Sequence, residues 1–176
     1  MQAQTQRAET AVLQQTTLHP ALPRISHPTF EYCLNVLFVH TKVLASNVIS
    51  LHLHLAGKTA GQQEGPLLLS RFQLDLLEQA LEIQAHLAAS EVDCPQPEVW
   101  ERFAALWRIP NVSEVPKALG MIIDATDTLA ELYESLLPLA SQQHDQASSL
   151  YLMADHLDVL NSYLGALKDW KMLRFS

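Results

Sequence analysis

Glycine is scarce in this 176-residue chain, with five residues, and aromatic side chains make up only 7%. Strand-rich folds draw on both, glycine for tight turns and aromatics for pleated faces, so their shortage points to packed helices. The two cysteines, Cys33 and Cys94, lie too far apart for the paired spacing of a zinc site and read as buried or idle thiols. No secretory apolar core follows Met1, and no uninterrupted apolar run reaches the roughly eighteen residues of a membrane span. A soluble, cytoplasmic protein with no membrane partner is the expectation. Positive charge is also short: 11 Lys and Arg stand against 19 Asp and Glu, for a net charge of −8. Residues 1–28 contain Arg7 and Arg24 but no Lys. Such a surface offers a polyanion little, so no strong nucleic-acid binding is expected.

What the chain has in quantity is hydrophobic residues, 48% of the total, in one run of domain length. Residues 1–28 are rich in Gln and Thr and broken by Pro20, Pro23 and Pro28, which suits a flexible or extended arm. The folded domain is expected over residues 29–176. From Thr29, the residues Leu34, Leu37, Thr41, Leu44, Val48, Leu51 and Leu55 recur at spacings of three and four up to a stop at Gly57, the signature of a long first helix. Lys58 to Gly65 reads as a loop. Pro66 is placed to open a second helix running to about Ser90, with Leu74, Leu77 and Leu81 facing inward. After the break at Cys94 to Pro97, Glu98 to Trp107 reads as a short connecting helix. Ser113 is the expected N-cap of the third long helix, with Pro116 tolerated in its first turn and Leu119, Ile122, Leu129, Leu132 and Leu136 buried. Pro138 should kink or fray its end. The fourth helix carries Leu150, Met153, Leu157, Leu160, Leu164 and Leu167. The expected fold is all-α, a four-helix bundle with a short extra helix between the second and third.

The second helix also carries a charged stripe: Arg71, Asp75, Glu78, Glu82 and His86 recur at four, three, four and four, which stacks them on one face. Carboxylates and an imidazole so arranged could supply one side of a metal site, a second helix supplying the rest. They could equally be the helix's solvated face, with Arg71 neutralising the acids. His52 and His54 end the first helix; two residues apart, they point in different directions, and His54 reads as solvated or hydrogen-bonded. His156 beside Asp155 reads as a surface or interface pair. An intrasubunit di-iron site, which needs Glu and a Glu-x-x-His pair on facing helices, is not provided. No acid occurs between Asn35 and Lys58, and residues 150–170 contain Asp155, Asp158 and Asp169 but no Glu.

Several landmarks occur in order. Leu34-Asn35, Leu37 and Lys42 lead to His52-Leu53-His54-Leu55-Ala56-Gly57; then come Glu82-Ile83-Gln84-Ala85-His86-Leu87, Met121-Ile122-Ile123-Asp124 and His144-Asp145-Gln146-Ala147-Ser148. In this order the chain resembles the Dps family of mini-ferritins, whose first helix ends in His-Trp-Asn-Val-x-Gly and whose dodecameric shells oxidise and store iron. The resemblance implies a ferritin-like four-helix bundle, a homo-oligomer and an iron site shared between subunits. It places His52 from one subunit against Glu82 and His86 of its mate as metal ligands. The family's other two ligand positions fall near Leu67 and Arg71, which cannot bind iron, so the usual site is only partly present. An imidazole in place of a carboxylate moves metal preference toward Fe(II), Zn(II) or Cu(II), so iron is the implied cofactor and zinc a possible substitute. Asp75 and Glu78 could replace the lost acids if the helices have shifted. His144 and Asp145 are candidate pore residues, or a plain loop turn. Two other readings stay open: a ferritin-like shell without catalysis, and a helical adaptor that binds a partner through its apolar seam.

Overall fold

The computed structural model describes residues 29–57, 64–143 and 145–175. They form five helices: α1 Phe30–Ala56, α2 Glu64–Ala89, α3 Pro97–Leu106, α4 Val115–Ala140 and α5 Gln146–Phe175. Among the described residues there is no strand. The arm at 1–28, most of the expected loop after Gly57 and His144 lie outside them.

α1 is the central helix. The Thr29 hydroxyl accepts the Tyr32 N–H at 3.2 Å, and Gly57 closes the other end. Every residue of the expected seam, Leu34 through Leu55, is buried. α1 is long and apolar enough to cross a membrane, with a mean hydropathy of 1.4 in its best window. Here 44% of that window is buried, where α1 touches α2, α3 and α4. α4 also buries all five of its expected residues.

α2 turns a different face inward from the one its leucines suggest. Leu74 and Leu81 are 60% and 65% exposed, and Leu77 is half-buried. The core instead takes Leu69, Phe72, Leu76, Ala80, Ile83 and Leu87. Both stripes have helical spacing; the longer one, which includes Phe72, removes more apolar area from water. The helix begins at Glu64, so Pro66 sits within its first turn rather than opening it. Gly65 lies against the Trp170 ring, into which an added Cβ would be driven. Gly65→Ala is expected to destabilise the fold by roughly 1–2 kcal/mol through overpacking, read as a lower urea midpoint with an unchanged slope. At its other end α2 closes with Glu91 N–H to Ala88 C=O and Val92 N–H to Leu87 C=O. Glu91 takes the left-handed conformation (φ 55°) that this helix stop requires.

The turn before α4 also differs from expectation. Ser113 is not the cap: the helix starts after Glu114, and the Asn111 side chain organises the turn by accepting the Ser113 N–H at 3.1 Å and donating to Glu114 at 2.9 Å. An amide that serves both neighbours outcompetes a hydroxyl for this role. Pro116 is in the first turn, and α4 ends two residues after Pro138.

Side-chain contacts fix the helix directions. His52 meets Pro66 and Phe30 meets His86, so α1 and α2 are antiparallel. Asp75 meets Tyr163 and His86 meets Ser149, so α2 and α5 are antiparallel. Tyr133 meets His156 and Asp127 meets Lys168, so α4 and α5 are antiparallel as well. Contacts join α1 to α2, α2 to α5, α5 to α4 and α4 to α1. α2 and α4 therefore run in the same direction, and residues 90–114 must carry the chain back along the helices. α3 lies in that crossover, against α1.

Candidate functional site

α5 presents Ser149, His156, Tyr163 and Trp170 at seven-residue intervals, a spacing of two helical turns that keeps them on one edge. That edge faces the charged stripe of α2. Ser149 Oγ lies 3.4 Å from His86 Nε2, His156 Nε2 lies 2.7 Å from Glu82 Oε2, and the Tyr163 hydroxyl donates to Asp75. Phe72 stacks on Tyr163 with ring centroids 4.4 Å apart. Burial, with the bonded Asp75 carboxylate adding to it, holds the Tyr163 phenol above its ordinary range. Most of the stripe is thus the α2 half of an interhelical polar seam. Arg71 and Glu78 are exposed and, among the described residues, Arg71 makes no ion pair.

His156 is the centre of this seam, not a surface partner of Asp155. It is 1% exposed, while Asp155 is exposed and acts on it only through its charge. Its Nδ1 lies 3.0 Å from the Tyr133 hydroxyl, and its backbone carbonyl accepts from Gln79 at 3.2 Å. Burial lowers the His156 pKa, against the opposing pull of Glu82. The ring is therefore neutral, and a carboxylate can only accept, so Nε2 carries the proton to Glu82 and Nδ1 accepts the Tyr133 O–H. Burial also pushes the Tyr133 phenol up; the adjacent Thr41 opposes the rise and Glu82 reinforces it. A directional chain results, from the buried phenol through the imidazole to a carboxylate that is about half exposed, 48%. The seven-residue interval in α5 is the sequence signal that could have exposed it.

Glu82 and His86 also edge a cavity of about 620 Å³ at the end of the molecule where the start of α1, the end of α2 and the start of α5 meet. Glu31 and Asp145 contribute further carboxylates to its wall. Asp145 caps α5, accepting the N–H groups of Ser148 and Ser149, which is the loop-turn role. His86 packs edge-on against Phe30, with ring centroids 5.9 Å apart.

His52 stands at the other end of α2. Its Nδ1 lies 2.9 Å from the Pro66 carbonyl, and because a carbonyl only accepts, Nδ1 holds the proton and Nε2 presents a lone pair. From Pro66 to Glu82 the helix rise alone is about 24 Å, so His52 and Glu82 of one chain cannot share an ion. Among the described residues no group of three or more His, Cys, Asp and Glu side chains could hold a metal. Leu67, 51% exposed, and the exposed Arg71 lie on the first turns of α2. Asp75 is engaged by Tyr163. His54 is not solvated at Nε2, which is buried and has no hydrogen-bond partner among the described residues. Both cysteines are free, and burial raises their thiols, Cys33 to about 12; that accords with inert side chains.

No known family model matches this chain, and neither a curated protein nor a solved structure matches it.

Proposed function

We propose that this chain is a ferritin-like subunit of the Dps type, which assembles into a hollow homo-oligomeric shell and oxidises and stores iron. The observation that carries this reading is the order of helices around the core. α1 and α2 form one antiparallel pair and α4 and α5 another, and a single long crossover containing a short helix joins two helices of the same direction. One such crossover distinguishes ferritin-like bundles from plain up-down-up-down bundles.

In this reading Fe(II), the substrate, is held between His52 of one subunit and Glu82 and His86 of its mate. His52 suits the role because its Pro66 bond leaves Nε2 as the ligand nitrogen. Glu82 and His86 lie one turn apart and open onto a carboxylate-lined cavity. Each Fe(II) gives up one electron, and two electrons reduce one peroxide to water. The ferric product then hydrolyses and collects inside, where the acidic balance of the chain favours cations. Zinc would compete for the same donors. The test is Fe(II) oxidation by dioxygen and by peroxide in the parent and in a His52→Ala, His86→Ala double variant. Loss of the ligands should slow oxidation by at least about tenfold. Equal rates would sink the assigned site, and a small oligomer on size-exclusion chromatography would sink the shell.

A second reading, a shell without catalysis, is favoured by one observation: Glu82 is already engaged by His156 within its own chain. In that case the parent forms the shell yet oxidises iron no faster than buffer.

A further inference from the structure

α2 carries two apolar stripes and buries only one of them. Leu69, Leu76 and Ile83 recur at sevens and face the core, while Leu67, Leu74 and Leu81 recur at sevens two residues earlier and are each more than half exposed. An offset of two residues is a rotation of roughly 200° on a helix, so the second stripe points away from the bundle. It runs about 21 Å along the surface. A single exposed leucine is ordinary, whereas a row of them along one line marks a contact face.

The residues beside the stripe say what covers it. Four residues after Leu67 and Leu74 stand Arg71 and Glu78, on the same flank. Both are exposed, and among the described residues neither makes an ion pair. One charge of each sign, placed on either side of Leu74, complements itself when reversed. A second α2 turned end for end about Leu74 sets Leu67 against Leu81 of the partner subunit and Arg71 against Glu78 of the partner subunit, and a two-fold axis repeats both contacts. Parallel α2 helices would instead face arginine with arginine and glutamate with glutamate. A lipid surface fits less well: helices that lie on one carry Lys and Arg along the rim of the apolar face, whereas α2 sets Arg71 against Glu64, Asp75, Glu78 and Glu82. The seven-residue interval also suits two helices that coil around each other at a shallow angle.

We propose that the exposed stripe of α2 is an isologous interface at which two copies of this chain pair antiparallel, with Leu74 on the two-fold axis and reciprocal ion pairs between Arg71 and Glu78 at the rim. In that register Pro66, to which His52 is bonded, lies at the level of Glu82 of the partner subunit. That is the proximity the iron reading requires, but the interface rests on the leucines and the charges and stands without iron.

The test is the mass of the full chain in solution at micromolar concentration, by sedimentation and light scattering. The parent should form a dimer or a larger assembly of even copy number; a dimer that goes no further supports this interface and sinks the shell. Leu74→Glu, which buries two carboxylates at the axis, should weaken association at least about a hundredfold. Its helices should stay intact by circular dichroism, because Leu74 takes no part in the core. Arg71→Glu and Glu78→Arg should each weaken association about tenfold. Mixing those two variants pairs opposite charges at both contacts and should restore association to about the parent level. Cross-linking fixes the direction, with the parent, whose Cys33 and Cys94 are free, as the control: Leu67→Cys mixed with Leu81→Cys should form a disulfide-linked dimer, and either variant alone should not. A monomeric parent, an assembly of odd copy number, charge variants that associate like the parent, or a dimer cross-linked by Leu67→Cys alone overturns the proposal.

Discussion

Replacing His156 by alanine is expected to remove about 3 kcal/mol of folding stability. Two losses combine. A ring that is 1% exposed disappears from the core, and the Tyr133 O–H, wholly buried, is left without its acceptor. Glu82 adds little, because at 48% exposure it regains water when its partner goes. The Gln79 bond goes to the His156 backbone carbonyl and survives the substitution. Adding Tyr133→Phe should therefore recover part of the loss, since the double variant contains no orphaned hydroxyl. Urea unfolding followed by circular dichroism measures both, and a single-variant loss below about 1 kcal/mol would deny His156 this role.

The same residue carries a pH dependence whose sign follows from its lowered pKa. In the unfolded chain His156 takes up a proton near its ordinary value, about 6.5, whereas the fold keeps it neutral to lower pH. The unfolded state then binds the extra proton, so stability falls as pH drops below about 6.5 and levels off beneath the folded value. His156→Ala lacks this limb. The stability gap between parent and variant should be widest near neutral pH and narrow toward about pH 5; a gap that widens on acidification would contradict a neutral buried ring.

Asn47→Ala is expected to cost roughly 2–3 kcal/mol and to loosen the crossover selectively. Asn47 is 8% exposed on α1, yet its whole amide is spent on the segment after α3. Nδ2 donates to the Trp107 carbonyl at 3.0 Å, and Oδ1 accepts the Ile109 N–H at 3.1 Å. Cutting both bonds frees the end of α3 while leaving the pairs α1 with α2 and α4 with α5 intact. Hydrogen exchange should therefore rise across residues 90–114 before it rises in the long helices. If exchange rises equally everywhere, Asn47 supports the core rather than the crossover.

The charged stripe of α2 shows how far the chain can be read without its fold. Its spacing correctly puts Asp75, Glu82 and His86 along one edge, but spacing does not say what stands opposite. The answer came from α5, whose Ser149, His156 and Tyr163 arrive from more than sixty residues away in the chain. Asp155 is the neighbour of His156 in sequence, whereas Glu82 and Tyr133 are its neighbours in space.

The residues alone determined the all-helical class, the approximate extents of the first two long helices, the short helix in the crossover, and the buried faces of α1 and α4. Those faces are each the single dominant apolar stripe of a helix, and a stripe of that kind is a local property of period and composition. Only the tertiary structure decided which of two stripes α2 buries, which atoms pair with His156 and what Asn47 holds. Each of those outcomes is a competition between partners distant in sequence, settled by which arrangement buries more apolar surface and leaves fewer polar atoms alone.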